Sequence, residues 1–360
     1  MLKIFGGPGR YVQGPGALES LGDYAALFGP RAALVIDRHV HGMLGPKIES
    51  LCASRQVGLT PLFVEGDLTP DQVQSLRAQA ARAAPDMVIA VGGGKALDAG
   101  KAVAKSVHRH LLTVPTVASN DAPTSKNYVL YDAHHQLLAV EHMLFNPTIV
   151  LVDTAVIATA PAHFFRAGLG DAVSKKFEAG QCARNGGLNM YDAAPPLTAQ
   201  CIADGCLRVL LADGAAALDA AGTGRPTPAF ERVVEAMILM SGLGFESGGL
   251  SIAHALTRGL PRIPGVAAAL HGLQVALGLL VQLDLERRDD DMLQTLTQWY
   301  GAVGLPRSLR ELGAQPFDDG VLETAASLTL KARHAANFDR RLTVSELAGA
   351  LRRRALAGRT

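Results

Sequence analysis

Along roughly the first 160 residues, short runs that are apolar at nearly every position alternate with stretches whose apolar positions recur every three or four residues. The clearest runs are Ala32 to Asp37 (AALVID) and Asp86 to Val91 (DMVIAV); Leu111 to Val114 and Thr148 to Val152 follow the same pattern. Runs this short and rich in Val and Ile predict strands buried on both faces, as in a parallel sheet covered by helices. Between the first two, Thr69-Pro70-Asp71-Gln72 predicts a helix start, with a hydroxyl N-cap, a proline at the first helical position and a glutamine in the capping-box place. Val73, Leu76 and Ala80 then form its apolar stripe, and Val129 to Tyr131 with Leu137 to Val140 predict a hairpin. After Asp153 the strand pattern stops. The chain becomes rich in Ala and Leu at helical spacing, broken by Gly and Pro at 186–187, 195–196, 222–228 and 259–265. The expected fold is therefore an α/β nucleotide-binding domain over residues 1–160, followed by an all-α metal- and substrate-binding domain over 161–360.

Composition narrows the class. Apolar residues make up 48% of the 360 positions and charged residues 19%, so a large core is expected and disorder is not. With 34 basic and 33 acidic residues, the chain carries no electrostatic footprint for nucleic acid or an acidic membrane surface. The basic run Arg352-Arg353-Arg354, with Arg359, is expected to be a solvated tail closing a helix. No apolar stretch is long enough for a membrane span, and Val275 to Val281, the richest, is expected inside a buried helix. The cysteines Cys52, Cys182, Cys201 and Cys206 form no C-x-x-C pair and the N-terminus carries no signal-peptide pattern, which makes a reducing cytoplasm the expected setting.

Candidate chemistry begins where Val88-Ile89-Ala90-Val91 runs into Gly92-Gly93-Gly94-Lys95 and a helix opens with Ala96, Leu97, Asp98 and Lys101. Removing Cβ atoms lets backbone N–H groups approach a phosphate, and a helix N-terminus adds partial positive charge. The turn matches neither the dinucleotide fingerprint nor the Walker loop, so by itself it is open between a pyrophosphate cradle and an ordinary tight turn. Asp37, ending the earlier strand, is suited to accept hydrogen bonds from an adenosine ribose and to repel a 2'-phosphate, which favours NAD over NADP; Arg38 beside it pulls the other way. In the second half, His254 and His271 stand in Gly-flanked helical segments, and Asp171 is expected at the start of a helix that continues through Phe177-Glu178-Ala179. One carboxylate and two imidazoles make a catalytic divalent site with open positions, although the spacing matches no local metal motif and a buried histidine is more often part of a core.

Taken together, Gly92-Gly93-Gly94-Lys95-x-x-Asp98-x-x-Lys101, Pro115-Thr116-x-Ala118-Ser119-Asn120-Asp121-Ala122-Pro123-Thr124-Ser125, Gly168-x-Gly170-Asp171-Ala172, Gly244-Phe245-Glu246-Ser247-Gly248-Gly249-Leu250, Ala253-His254-Ala255 and His271-Gly272 resemble, in order and spacing, the blocks of glycerol dehydrogenases. These are a branch of the iron-containing (group III) alcohol dehydrogenases, and the resemblance covers nearly the whole chain. It implies that Asp171, His254 and His271 hold the catalytic metal, zinc or alternatively iron. It implies that Asp121 contacts substrate, and that NAD is bound by Asp37, Gly93, Gly94, Lys95, Asp98, Thr116, Ser119, Ser125, Asn127 and Tyr131. It further implies oxidation of glycerol or another vicinal diol, and a homo-oligomer, octameric in the family.

The departures concern substrate. The family's Glu-x-Val after His271-Gly272 is Leu273-Gln274-Val275 here, and its His-Asn-Gly after the first histidine is Thr257-Arg258-Gly259. Lys126 and Lys175-Lys176 are also unusual, and are read either as solvated lysines or, with Arg258, as a site tuned for an anionic hydroxy compound. A dehydroquinate synthase-like lyase is a more remote alternative, because the extra basic residues it needs for phosphate are not found as a set.

Overall fold

Strands that are apolar at nearly every position need partners on both edges and helices on both faces, and the chain supplies them. The computed structural model describes residues 1–132, 137–288 and 291–356, so Arg359 and the turn of the expected hairpin lie outside the described residues. Two compact units are present, one comprising Gly6–Pro161 with Ala220–Thr227 and the other Met1–Phe5, Ala162–Asp219 and Pro228–Thr360.

In the first unit the order is β1 (Arg10–Gly14), α1 (Leu21–Ala26), β2 (Arg31–Asp37), α2 (Arg38–Ala53), β3 (Gly58–Val64), α3 (Pro70–Ala83), β4 (Met87–Gly92), α4 (Gly94–Val107), β5 (His110–Pro115), β6 (Asn127–Tyr131), β7 (Leu137–His142), β8 (Ile149–Asp153) and α5 (Thr154–Thr159). Six strands form one sheet in the order β1-β8-β5-β4-β2-β3, with all five pairings parallel. The four expected buried strands are its centre: β2, β4, β5 and β8. The sequence pattern missed its two edges. β1 is RYVQG and never fully buried, while β3 carries Pro61, a residue tolerated where one side of a strand makes no ladder. One face packs Val35, Leu62 and Val88 against Leu76, Leu97 and Val103 of α3 and α4; the other packs Leu34, Ile36 and Ile89 against Leu21, Val40 and Ile48 of α1 and α2. The hairpin β6–β7 is separate and antiparallel, with an irregularity at Leu130/Tyr131. Thr69 caps α3 by accepting from the Gln72 amide, but the Gln72 side chain donates to the Glu65 carbonyl, so the expected capping box is only half made.

The second unit is helical: α6 (Ala162–Ala172), α7 (Lys175–Arg184), α8 (Leu197–Ala220), α9 (Pro228–Glu235), a π turn at Ala236–Met240, α10 (Ser241–Gly248), α11 (Ile252–Ala255), α12 (His271–Leu285), α13 (Asp291–Val303), α14 (Asp319–Leu330) and α15 (Val344–Leu356). The first residues join it through a Lys3–Ala194 bridge and an Asn189 Nδ2 to Ile4 O hydrogen bond of 3.0 Å. Its core gathers Ile252, Leu256, Leu277, Val281, Leu322 and Leu347. No single described helix is long and apolar enough to cross a membrane.

Candidate functional site

In the α/β unit, the chain leaves β2 for β3 on one side and then crosses to β4 on the other, so the gap between β2 and β4 is the topological switch point where ligands of open parallel sheets sit. Asp37 ends β2 on one side of it. Its Oδ1 caps α2 by accepting from the Val40 amide at 2.8 Å. Gly92 ends β4 on the other side at φ +143°, and a Cβ there would meet the Ala96 Cβ at 2.8 Å and Asp37 Oδ2 at 3.4 Å. Gly93 is the N-cap of α4 and brings no side chain to its first amides, which leaves them for a ligand. The loop after β5 lies over the same helix start: the Thr116 amide donates to the Gly92 carbonyl at 3.1 Å, and a Cβ on Gly94 would come within 3.2 Å of Asn120 Nδ2. That loop is pinned by Thr113 Oγ1 donating to Pro123 O at 2.9 Å and by the Ala122 amide donating to Asn120 Oδ1 at 3.1 Å, and it presents Ser119 and Asp121 half-buried.

Other residues read from the sequence as cofactor contacts are engaged within the protein. Lys101 is fully buried; its Nζ donates to Asp98 Oδ1 at 3.1 Å, Ser125 Oγ at 3.3 Å and the Asn127 carbonyl at 2.6 Å. The other Asp98 oxygen accepts from the Val129 amide at 3.0 Å, so this carboxylate ties α4 to β6. Burial pushes its pKa up, against the pull of Lys101. Lys95 is exposed and paired with Asp67 at 2.6 Å. The Tyr131 phenol is pushed up to about 12 by burial and by the charges of Asp98 and Asp67.

In the helical unit, Asp171, His254 and His271 each offer a ligand atom, all within 4.8 Å of one another. Asp171 Oδ1 lies 3.1 Å from His254 Nε2 and 3.9 Å from His271 Nε2. Asp171 and His254 are buried, whereas the His271 side chain is 47% exposed, which leaves the group open on that side. Close backbone approach makes this convergence. A Cβ on Gly170 would lie 2.5 Å from the Gly272 carbonyl and one on Gly272 only 1.8 Å from the Ala167 carbonyl, so α6 touches α12 where Asp171 meets His271. Gly278 admits the Ala253 backbone in the same way and Gln282 Oε1 accepts the Ala253 amide at 3.1 Å, seating α11 and with it His254 on α12. One expectation is corrected: Asp171 lies in the last turn of α6, not at a helix start, because the helix breaks at 173–174 before α7.

Sequence reasoning missed Glu178 as a functional group. It lies on α7, across the break after α6, and the local signal was the Phe177-Glu178-Ala179 run itself. Glu178 Oε2 is 2.5 Å from His254 Nδ1, and Oε1 accepts the amides of Ser251 and His254 at 2.8 and 2.9 Å. A carboxylate on Nδ1 fixes the tautomer and turns Nε2 toward Asp171. Burial alone would push His254 down and the two carboxyls up. The Glu178 charge outweighs it and raises His254 to about 9, the His254 charge and hydrogen bonds lower Glu178 to about 2, and Lys175 with both histidines holds Asp171 far below the ordinary carboxylate range. His334 also feels these charges, and burial lowers it to about 4. The donor set fits a divalent ion such as zinc or iron.

Lys175 departs from the reading of solvated lysines: it is buried, with Nζ 3.0 Å from Asp171 Oδ1 and 3.1 Å from His254 Nε2. Lys126 is buried as well, Lys176 pairs with Asp204 at 3.0 Å, and Arg258 is exposed.

Residues 8–154 match the family described as iron-containing alcohol dehydrogenase. A glycolaldehyde reductase of Halobacterium salinarum is 35% identical over 94% of each chain, and a glycerol dehydrogenase of Thermotoga maritima is 38% identical over 87% of this chain and 85% of its own. The crystal structure of a probable glycerol dehydrogenase from Sinorhizobium meliloti 1021 superposes with a TM-score of 0.92 at 33% identity, covering 98% of both chains. With this fold, this donor set and relatives of this similarity over nearly its full length, the chain belongs to the iron-containing alcohol dehydrogenase family, in its glycerol dehydrogenase branch.

Proposed function

We propose that the chain is an NAD-linked dehydrogenase that interconverts a small vicinal polyol and the corresponding hydroxycarbonyl, with Asp171, His254 and His271 holding one zinc or iron ion. The observation that carries this reading is the gathering of those three side chains within 4.8 Å, with Glu178 behind His254, in a chain whose relatives are named glycerol dehydrogenase and glycolaldehyde reductase. A divalent ion held there would supply Lewis acidity, stabilising negative charge on the substrate oxygen. The protein's own part is to hold His254 through Glu178 with Nε2 facing Asp171, keep Asp171 ionised, and leave the His271 side open. The anionic-substrate alternative loses support because Lys175 is engaged by Asp171 and His254. A panel of diols, hydroxy acids and sugar alcohols, assayed with NAD and NADP on protein of measured metal content, tests the reading. A hydroxy acid turned over faster than every polyol, or no net reduction of NAD with any alcohol, overturns it.

The reading makes NAD the preferred cofactor through Asp37. Because Asp37 also caps α2, the informative variant is Asp37→Ser, which keeps an N-cap oxygen while removing the charge that repels a 2'-phosphate. The NADP-to-NAD ratio of kcat/KM should rise by about tenfold, roughly 1.4 kcal/mol of transition-state free energy. A wild-type preference for NADP, or a ratio unmoved by the substitution, removes Asp37 from the cofactor site.

Asp121 is assigned to the second hydroxyl of the polyol. In Asp121→Asn the hydrogen bond to a charged group becomes one to a neutral amide, so kcat/KM for a vicinal diol should fall by about 1 to 3 kcal/mol, with a smaller loss for a simple primary alcohol. Equal losses on the two substrates would argue that Asp121 supports the loop rather than the diol.

A further inference from the structure

Lys101 is fully buried in the α/β unit and has no part in the chemistry proposed above. From α4 its amine reaches three separate pieces of chain: Asp98 Oδ1 one turn back at 3.1 Å, Ser125 Oγ 24 residues on at 3.3 Å, and the Asn127 carbonyl 26 residues on at 2.6 Å. An ammonium has three hydrogens and accepts nothing, so each partner takes one. Burying a lysine and a carboxylate together is a poor way to gain stability, because desolvation offsets their attraction and apolar side chains of like volume commonly do as well. What the pair secures is arrangement. The Ser125 amide and Thr124 Oγ1 both donate to the Asp121 carbonyl, at 3.3 and 3.1 Å, so holding Ser125 also holds the loop that carries Asp121. Asn127 begins β6, and Asp98 Oδ2 takes the Val129 amide two residues further on. Lys101 thus ties that loop and β6 to the helix whose start, capped by Gly93 without a side chain, forms the cradle at the switch point. Because lysine only donates, the Ser125 oxygen is the acceptor toward it, and the Ser125 hydrogen is given elsewhere. A hydroxyl so arranged suits an oxygen of a ligand, not an N–H.

We propose that Lys101 is a positioning residue of the cofactor site: it sets the Ser125 hydroxyl as a hydrogen-bond donor to an acceptor oxygen of the dinucleotide, and holds the 121–125 loop and β6 against α4. It touches neither cofactor nor substrate. The inference rests on the reading of this unit as the NAD site, with Ser125 among its contacts.

The test is equilibrium titration of the full-length protein with NADH, followed by the fluorescence of the nucleotide, for the wild type, Ser125→Ala, Lys101→Met and the last two combined. Melting temperatures are recorded on the same samples. Methionine keeps the lysine stem but leaves Asp98 buried without its partner. Should Lys101→Met fail to fold, Lys101→Met/Asp98→Asn takes its place, measured against Asp98→Asn. The Kd for NADH should rise about tenfold in Ser125→Ala and at least as much in the Lys101 variant, the scale of one strong hydrogen bond, with one site per folded chain throughout. The combined variant should lie within about twofold of the Lys101 variant alone, because Ser125 has by then lost what orients it. KM for NAD should rise by more than kcat falls. Unchanged NADH affinity in Ser125→Ala or in the Lys101 variant overturns the proposal. So do losses that multiply in the combined variant, which would mean that the two side chains act independently, and so does failure of both Lys101 variants to fold, which would make the lysine a support of the whole unit. A wild type that does not bind NADH overturns the cofactor reading itself.

Discussion

His271→Ala should abolish metal retention and reduce kcat/KM on a polyol by about a thousandfold or more, near 4 kcal/mol of transition-state stabilisation, while leaving the chain folded. Of the three proposed ligands, His271 is the one whose removal reads function most cleanly. Its side chain is 47% exposed at the first position of α12, so a change to alanine there should alter stability by about 0.5 kcal/mol or less. Asp171 and His254 are buried and joined to Lys175 and Glu178, so their replacement would strand a charged partner and mix loss of folding with loss of metal. The measurements are metal content after gel filtration, steady-state rates and the unfolding midpoint. A His271→Ala protein that keeps both a full metal complement and normal turnover rejects the site.

What the sequence made legible was governed by how local each signal is. The four central strands stood out because a strand buried on both faces is apolar along its middle, as β2, β4, β5 and β8 nearly are, with polar residues mostly at their ends. The edge strands β1 and β3 carry no such constraint, since solvent or a loop can satisfy their outer side, and their mixed sequences gave no sign. The N-terminal residues were grouped with the α/β part because nothing local announces that Leu2, Lys3 and Ile4 pair with residues near 190. In the site, Asp171, His254 and His271 were read through a resemblance, because their contact depends on helix packing that spacing does not encode. Glu178 and Lys175 lie on α7, across the break at 173–174, so a projection of one continuous helix from Asp171 does not place them. The sequence leaves the lysines open between solvent and an anion-tuned site, and spacing alone does not say that Lys175 is buried. Several residues assigned to the cofactor show a different limit. Asp98, Ser125 and Asn127 meet at Lys101, an internal network that a motif reading cannot tell from ligand contact.

The close approach of α6 and α12 leads to the other large expected effect. Gly272→Ala should destabilise the chain by about 3 kcal/mol or more and weaken metal binding with it, although alanine is the better helix former by up to about 1 kcal/mol. The Cβ would fall 1.8 Å from the Ala167 carbonyl oxygen, 2.7 Å from its carbon and 3.1 Å from the Asp171 amide nitrogen. All three are backbone atoms of α6, so no side chain can rotate away and the helices must part. Parting them moves Asp171, one residue after Gly170, from His271, one residue before Gly272, and so stretches the site at its centre. Gly320→Ala in α14 is the matched control, because a Cβ there has nothing within 4 Å; it should be neutral or stabilise by up to about 1 kcal/mol. Urea unfolding of the two variants beside the wild type, with metal content measured on the same samples, decides the matter. A Gly272→Ala protein as stable as Gly320→Ala, with metal bound as in the wild type, would show that the contact between α6 and α12 is loose and does not hold the ligands together.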